Sequence, residues 1–391
     1  MVTALLPTYA RSDLAFDRGE GAYLYTADGA RYLDFTSGIA VNALGHCHPH
    51  LVKALTEQAQ KLWHCSNIFQ IPGQQRLAER LVENTFADTV FFGNSGAEAL
   101  ECAIKMVRKY HDETGTPEKY RIIACEGSFH GRTLATLAAA GNPKYLKGFA
   151  PDVDGFDHVA FGNLNELRAA ITPQTAAILV EPVQGEGGLR AGSAEYLRGL
   201  RAVADEYGLL LVFDEVQCGM GRTGKLFAHE WAGVTPDIMS IAKALGNGFP
   251  VGACLATEKA SVGMTAGSHG STFGGNPLAM AAGNAVLDVM LAPGFLDRVN
   301  AVAGKLWARL GEIVETHPSV FEERRGAGLL VGLKCRVPNT EMVERLRRNG
   351  LLTVTAGDNV VRILPPLIVE ESHIGEAVAI IDKVARQWTA S

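Results

Sequence analysis

Two kinds of apolar pattern alternate along the first three quarters of the chain. Short apolar runs predict strands at 89–92, 121–124, 177–180, 209–213 and 237–241. Apolar residues at helical spacing lie between several of them, as over 98–111 and 194–207. Strands that alternate with helices predict an α/β fold, with a mostly parallel sheet and helices on both faces.

The pattern differs at both ends of the chain. Aromatic and polar residues alternate over 22–35 on either side of Asp28-Gly29, which predicts a hairpin. Over 49–63 the apolar residues have the spacing of one face of a helix. After about Pro293 a long amphipathic helix over 296–313 is predicted, followed by shorter strands and helices up to 387. We therefore predict a large domain over 51–289 and a smaller α+β domain composed of 1–50 and 290–391.

Composition excludes several classes of protein. The 391 residues are 47% hydrophobic, and 36 basic against 42 acidic residues give a net charge of −6, which argues against a nucleic-acid surface. No apolar run approaches the roughly 18 residues that span a bilayer, so we expect no membrane partner. Seven cysteines without a Cys-x-x-Cys pair, and a start without a basic stretch, favour a cytoplasmic protein with reduced thiols.

An acid and a lysine stand at the ends of two predicted strands. Asp214 follows the run 209–213, and Lys243 lies in the apolar segment 237–246. Open α/β sheets bind ligands at the carboxyl ends of their strands. A lysine in apolar surroundings is a nucleophilic amine, and a carboxylate can keep a pyridine nitrogen protonated, so the pair favours pyridoxal phosphate (PLP). A buried structural salt bridge is the alternative.

The turn at 94–97 follows one predicted strand and opens a helix. Its free N–H groups and the Ser95 hydroxyl form a candidate phosphate site. The alternative is a capping turn, in which Ser95 is the N-cap and Glu98 completes a capping box.

Two other motifs do not support a site. The segment 219–224 matches G-x-G-x-x-G, which would suggest a nicotinamide oxidoreductase, but it follows an acid-bearing strand end and opens no convincing helix. His46, His48 and His50 are spaced too closely for a structural zinc site, so no metal is predicted.

Taken together, the motifs resemble the class III aminotransferases, which are fold-type I PLP enzymes, over essentially the whole chain. The resemblance is carried by the segments 95–99, 128–133, 181–188, 213–224, 242–246 and 270–277. It implies an α/β fold of the fold-type I PLP transferases, pyridoxal 5′-phosphate as cofactor, and a homodimer with shared active sites.

The resemblance also implies a role for each matching residue. Lys243 would hold the cofactor covalently and move the proton, and Asp214 would pair with the pyridine nitrogen. The other implied cofactor contacts are Ser95, Gly96 and Ala97 at the phosphate, Phe129 and Val216 on the ring faces, Gln217 at the ring oxygen, and Thr272 from the partner subunit. Many relatives have threonine in place of Ala97.

Four residues are implied to bind substrate. Arg132 would hold a substrate carboxylate through two parallel hydrogen bonds, and Ser271 would be a second contact. Glu186 and Arg362 resemble a gate, in which the glutamate covers the arginine until 2-oxoglutarate or glutamate needs a second carboxylate site.

Within this family, the short chain and the segments 217–224 and 269–277 resemble members that use N2-acetyl-L-ornithine as amino donor and 2-oxoglutarate as acceptor, and the resemblance implies this reaction of arginine biosynthesis. Succinylornithine, succinyldiaminopimelate, ornithine and 4-aminobutyrate remain alternative donors. A PLP-fold regulatory or binding protein without turnover is a further alternative, disfavoured because Lys243, Asp214 and Arg132 are all present.

Overall fold

The computed structural model describes residues 4–389. Its strands are β1 Phe16–Glu20, β2 Tyr23–Thr26, β3 Arg31–Asp34, β4 Thr89–Gly93, β5 Arg121–Cys125, β6 Phe156–Val159, β7 Thr175–Val180, β8 Val183–Gln184, β9 Arg190–Ala191, β10 Leu210–Asp214, β11 Ile238–Ile241, β12 Gly252–Ala256, β13 Phe321–Ala327, β14 Leu330–Cys335, β15 Leu351–Leu352, β16 Val354–Ala356 and β17 Val360–Ile363.

The helices are α1 Ser37–Ala40, α2 Pro49–Ala59, α3 Pro72–Glu83, α4 Gly96–Glu113, α5 Leu134–Ala140, α6 Pro143–Leu146, α7 Leu164–Ala170, α8 Ala194–Tyr207, α9 Glu258–Ser261, α10 Pro277–Met290, α11 Phe295–Thr316, α12 Asn339–Arg348 and α13 Glu371–Thr389. Short 3-10 turns occur at Ala228–Ala232 and Lys243–Leu245.

The central sheet has seven strands in the order β4-β12-β11-β10-β7-β5-β6. Strands β11, β10, β7, β5 and β6 pair in parallel, whereas β12 runs antiparallel to both of its neighbours. The mostly parallel sheet predicted from the apolar runs is confirmed. The pattern did not predict β12, because its short Gly-Ala-Cys-Leu-Ala sequence carries no alternation and few β-branched residues.

Helices cover both faces of this sheet, as predicted. Leu210 and Val212 of β10 pack with α4 on one face, while Leu211 and Phe213 pack with α7 and α8 on the other. Side chains alternate across a strand, so Asp214 falls on the α4 side of the sheet. The Asp214 carboxylate therefore points toward the end of the sheet where α4 begins.

One of the smaller sheets combines strands from the two ends of the chain. β3 pairs in parallel with β15, so a strand of the N-terminal hairpin lies beside a strand from the C-terminal part of the chain. A second sheet has the order β13-β14-β17-β16. This pairing agrees with a composite unit of 1–50 and 290–391, although its boundaries stay a prediction, and residues 1–3 and 390–391 lie outside the described residues.

The helix predicted over 49–63 is shorter than its pattern. α2 ends at Ala59, and Leu62 and Trp63 beyond it are 47% and 64% exposed. A helix end without buried contacts gains too little from packing to continue. Within the described residues no single helix could cross a membrane; α10 and α11 meet the length and composition test only as a pair bent by 72°.

Gly252, at the start of β12, lies in close contact with the turn before α4. A Cβ on Gly252 would lie 2.3 Å from the carbonyl oxygen of Ser95 and 2.7 Å from its carbonyl carbon. We expect Gly252→Ala to lower the free energy of unfolding by about 1–3 kcal/mol, because backbone atoms cannot turn away as a side chain can. Urea denaturation measures this change.

Gly375 provides the matched control. It lies in α13, and a Cβ there meets no atom within 4 Å. Gly375→Ala should raise stability by roughly 0.5–1 kcal/mol, because alanine favours the helix over the unfolded chain. A Gly252→Ala protein as stable as the wild type would contradict the close approach.

Candidate active site

A cavity of about 460 Å³ opens at the carboxyl ends of the parallel strands. The segments after β4, β5, β10 and β11 all reach it, as expected for an open α/β sheet. The predicted residues that line it are Ser95, Gly96, Ala97, Phe129, Arg132, Asp214, Val216, Gln217 and Lys243.

Asp214 is buried and held from two sides. Its Oδ2 accepts a hydrogen bond from His130 Nδ1 at 2.8 Å, and its Oδ1 accepts the Val216 N–H at 3.0 Å. The bond to a carboxylate makes Nδ1 the protonated nitrogen of His130 and leaves Nε2, which is buried without a hydrogen-bond partner. A carboxylate fixed in this way still has lone pairs for a cation or N–H group in the cavity.

Lys243 lies in a strained turn after β11. Its φ is +47°, in the left-handed region that residues other than glycine rarely adopt. Burial lowers the pKa of its ammonium group, and the positive charge of Arg362 lowers it further, against the opposing carboxylates of Glu186, Asp214 and Glu181. The lysine therefore holds its proton less firmly than a solvated one, as a nucleophilic amine requires.

A second carboxyl group, Glu181, also lines the cavity. Its Oε2 accepts the Phe129 N–H at 3.0 Å, which fixes the segment that carries the predicted ring-stacking residue. Burial, followed by the negative charge of Asp214, raises the pKa of Glu181 well above its usual value. The group therefore keeps its proton more readily and adds less negative charge opposite Lys243.

Sequence reasoning assigned no role to His130 or Glu181. Both lie inside the quoted motifs at 128–133 and 181–188. For Glu181 the available signal was a titratable residue directly after a strand, since it follows the last residue of β7; His130 lies further into the segment after β5.

Glu215 lies just beyond the end of β10. Its buried carboxylate accepts the N–H groups of Ala228 at 2.5 Å and His229 at 2.9 Å, and burial raises its pKa to about 8. It anchors the following 3-10 turn, away from the cavity lining.

The turn before α4 has features of both a capping turn and a phosphate site, the two interpretations given for Ser95. The Ser95 hydroxyl accepts the Glu98 N–H at 3.2 Å, as an N-cap does. The Glu98 carboxylate returns to the Asn94 N–H and to the Asn94 amide at 2.9 Å, so the reciprocal bond is shifted by one residue from a capping box. Gly96 and Ala97 in the first helical turn have N–H groups without helical carbonyl partners, which suits an anion.

Arg362 and Glu186 form a buried ion pair beside the cavity. Nη1 of Arg362 lies 2.6 Å from Glu186 Oε1, and its Nε and Nη2 donate to the Thr355 carbonyl at 3.2 and 2.9 Å. The same Nη1 is 3.5 Å from Oε1 of Gln217, which lines the cavity. The arginine side chain is 3% exposed and the glutamate 28%, so the glutamate is the partner with room to move.

Ser271 and Thr272 are not brought to this cavity in the single chain. Ser271 Oγ accepts the Gly274 N–H at 2.9 Å and the Asn94 amide at 3.2 Å, and lines a separate surface pocket. Thr272 is exposed. Their roles stay predictions, and for Thr272 the position predicted was in the partner's site.

The model of the class III aminotransferase family matches residues 8–385. The chain belongs to the class III aminotransferases. The acetylornithine aminotransferase of Mesorhizobium japonicum is 62% identical over 376 residues, 96% of this chain and 94% of the relative. That of Agrobacterium fabrum is 59% identical over 386 residues, 99% and 97% of the two chains.

Solved structures show the same fold. The N-acetylornithine aminotransferase of Stenotrophomonas maltophilia superposes with a TM-score of 0.86 at 37% identity, over 98% of each chain. The ornithine aminotransferase of Toxoplasma gondii gives 0.95 at 30% identity, over 99% of this chain and 93% of the other. Another structure of that enzyme has partial occupancy of PLP at its active site. The predicted fold-type I architecture is confirmed.

As a class III aminotransferase, the enzyme depends on pyridoxal 5′-phosphate, which supplies an aldehyde for the migrating amino group and an electron-poor ring. The cavity fits it at three points. The first turn of α4 has free N–H groups for a phosphate, the Asp214 carboxylate has lone pairs left for a ring N–H, and Lys243 Nζ has no hydrogen-bond partner within residues 4–389. A Cβ on Gly96 would lie 2.7 Å from Val216, so the lining is already closely packed there.

Proposed function

We propose that the enzyme transfers the terminal amino group of N2-acetyl-L-ornithine to 2-oxoglutarate. The products are N-acetyl-L-glutamate 5-semialdehyde and L-glutamate, formed in two half-reactions of a ping-pong cycle in cytoplasmic arginine biosynthesis. The observation that carries the proposal is 62% identity to an acetylornithine aminotransferase over 96% of the chain.

Each half-reaction needs a proton moved at the reacting carbon. Lys243 is the base and acid that we assign to this step, because it is the cavity amine with a lowered pKa. Asp214, held by His130, would pair with the ring nitrogen of the cofactor, and Gln217 would contact the ring oxygen. Phe129 and Val216 would cover the ring and exclude water from it.

Arg132 is the proposed contact for the donor's carboxylate. It lines the cavity, and no carboxylate in residues 4–389 lies within ion-pairing distance of its guanidinium. Its planar fork can therefore bind a substrate carboxylate through two parallel hydrogen bonds. Ser271 is the proposed second contact.

Arg362 supplies the second carboxylate site. While Glu186 pairs with Nη1, the arginine is neutralised and suits a donor with one free carboxylate. A dicarboxylate such as 2-oxoglutarate would displace Glu186, while the Thr355 carbonyl keeps the guanidinium in place. One site thus accepts two substrates of different charge.

The active unit is proposed to be a homodimer, in which Thr272 completes the partner's phosphate site. Four large apolar side chains are exposed on the surface that carries Thr272: Trp63 is 64%, Ile68 82%, Phe69 63% and Phe273 60% exposed. Asn67 donates to the Ser271 and Gly274 carbonyls at 3.1 and 2.8 Å, which joins these side chains into one patch around Thr272. Apolar patches of this kind mark protein interfaces.

Ile68→Glu should weaken the dimer and lower activity with it, because a charge would be buried at the interface. Light scattering after gel filtration should give about twice the 41.8 kDa chain mass for the wild type and a concentration-dependent lower mass for the variant. Tyr207→Glu, on α8 across the central sheet, is the control and should stay dimeric. A fully active wild-type monomer would refute the shared site.

A donor panel with 2-oxoglutarate tests the substrate. N2-acetyl-L-ornithine should give a kcat/KM at least about tenfold above succinylornithine, succinyldiaminopimelate, ornithine and 4-aminobutyrate, since a tenfold preference needs only about 1.4 kcal/mol of differential transition-state binding. Glutamate formation measures each rate. A higher kcat/KM for any other donor would replace acetylornithine, and no turnover with any of them would favour a protein without catalysis.

A further inference from the structure

The guanidinium of Arg132 is held in a corner formed by two aromatic rings. Its Cζ lies 3.8 Å from the centroid of the Tyr145 ring and 5.5 Å from that of Phe129. The two rings are perpendicular, with centroids 6.4 Å apart. Phe129 lines the cavity, whereas Tyr145 does not. Tyr145 therefore acts on the cavity only through its neighbours.

Tyr145 is itself firmly placed. It lies in α6, which Asn142 caps by accepting the Lys144 N–H at 3.0 Å, and its own N–H donates to the Asn142 carbonyl at 2.9 Å. The turn closes with the Lys147 N–H bonded to the Pro143 carbonyl at 3.1 Å. The short helix that carries the ring is thus held in place beside the long arginine side chain.

Stacking on a ring face leaves the hydrogen-bonding edge of a guanidinium free. All five N–H donors lie in the guanidinium plane, so contact with an aromatic face uses none of them. An unstacked arginine would lose considerable rotamer freedom on binding a carboxylate. Because Tyr145 already restricts the Arg132 side chain, less rotamer freedom is lost when a carboxylate binds, and the N–H donors of the guanidinium stay available.

We propose that Tyr145 is a positioning residue that selects amino donors carrying a free carboxylate, by stacking on Arg132 and fixing the plane of its guanidinium. The inference rests on the proposed function, because it takes Arg132 as the carboxylate contact. It predicts that Tyr145 contributes to binding only when the ligand has that carboxylate.

The test compares Tyr145→Leu, which removes the ring, with Tyr145→Phe, which keeps it. The half-reaction of the holoenzyme is followed by cofactor absorbance with N2-acetyl-L-ornithine and with N-acetylputrescine, which has hydrogen in place of the carboxylate. Tyr145→Leu should lower kcat/KM for acetylornithine about tenfold, mainly through KM, and change that for N-acetylputrescine less than about twofold. Tyr145→Phe should stay within about twofold for both.

Binding of N-acetyl-L-norvaline gives a readout without turnover, because it has the carboxylate but no amine to transfer. Calorimetry should show a dissociation constant about tenfold higher in Tyr145→Leu and nearly unchanged in Tyr145→Phe. Equal losses with both donors would mean a general structural role, and no loss with either would mean that the stacking is irrelevant. Either result overturns the proposal.

Failure of the proposed function is seen separately, in the wild type. If the wild-type enzyme does not use acetylornithine, the donor assignment is wrong. The Tyr145 variants are then compared with the carboxylate-bearing donor that the wild type does use and with its decarboxylated analogue. The same changes in kcat/KM decide whether Tyr145 selects for the carboxylate.

Discussion

The site depends on a negative charge kept inside the protein. Asp214 stands at the end of a buried strand, and a carboxylate there is costly unless it is hydrogen-bonded. His130 and the Val216 N–H supply those bonds. Burial also disfavours the charged form of Lys243, whose pKa it lowers. One desolvated cavity therefore holds both a fixed anion and an amine that is readily deprotonated, which is the pair that PLP chemistry requires.

Glycines allow the elements around this pair to approach closely. Gly96 lies against the Val216 side chain, and Gly252 against the Ser95 backbone, so the start of α4 packs directly on the segment after β10 and on the start of β12. Gly185 likewise leaves space for Gln217, since a Cβ there would lie 2.0 Å from its Oε1. The chemistry proposed for Asp214 and Lys243 thus relies on glycines, which have no reactive side chain.

Patterns within a short segment could be predicted from sequence, and contacts between distant segments could not. The apolar run before Asp214 predicted its strand, and the place of Asp214 at the end of that strand predicted a ligand site there. Its partner His130 is 84 residues away, and no local pattern marks that bond. Glu186 and Arg362, 176 residues apart, were paired only through the family resemblance. α2 was predicted too long, because periodicity does not reveal whether Leu62 has a surface to pack against.

The central claim is that Lys243 is the lysine that holds the cofactor. Borohydride converts a lysine–PLP C=N bond into a stable amine, and peptide mass spectrometry then locates the added mass. The account predicts that the label lies on Lys243, and that Lys243→Ala loses the label, the visible absorption of the holoenzyme and nearly all turnover. A label on another lysine in the wild type, or substantial turnover in Lys243→Ala, would contradict it.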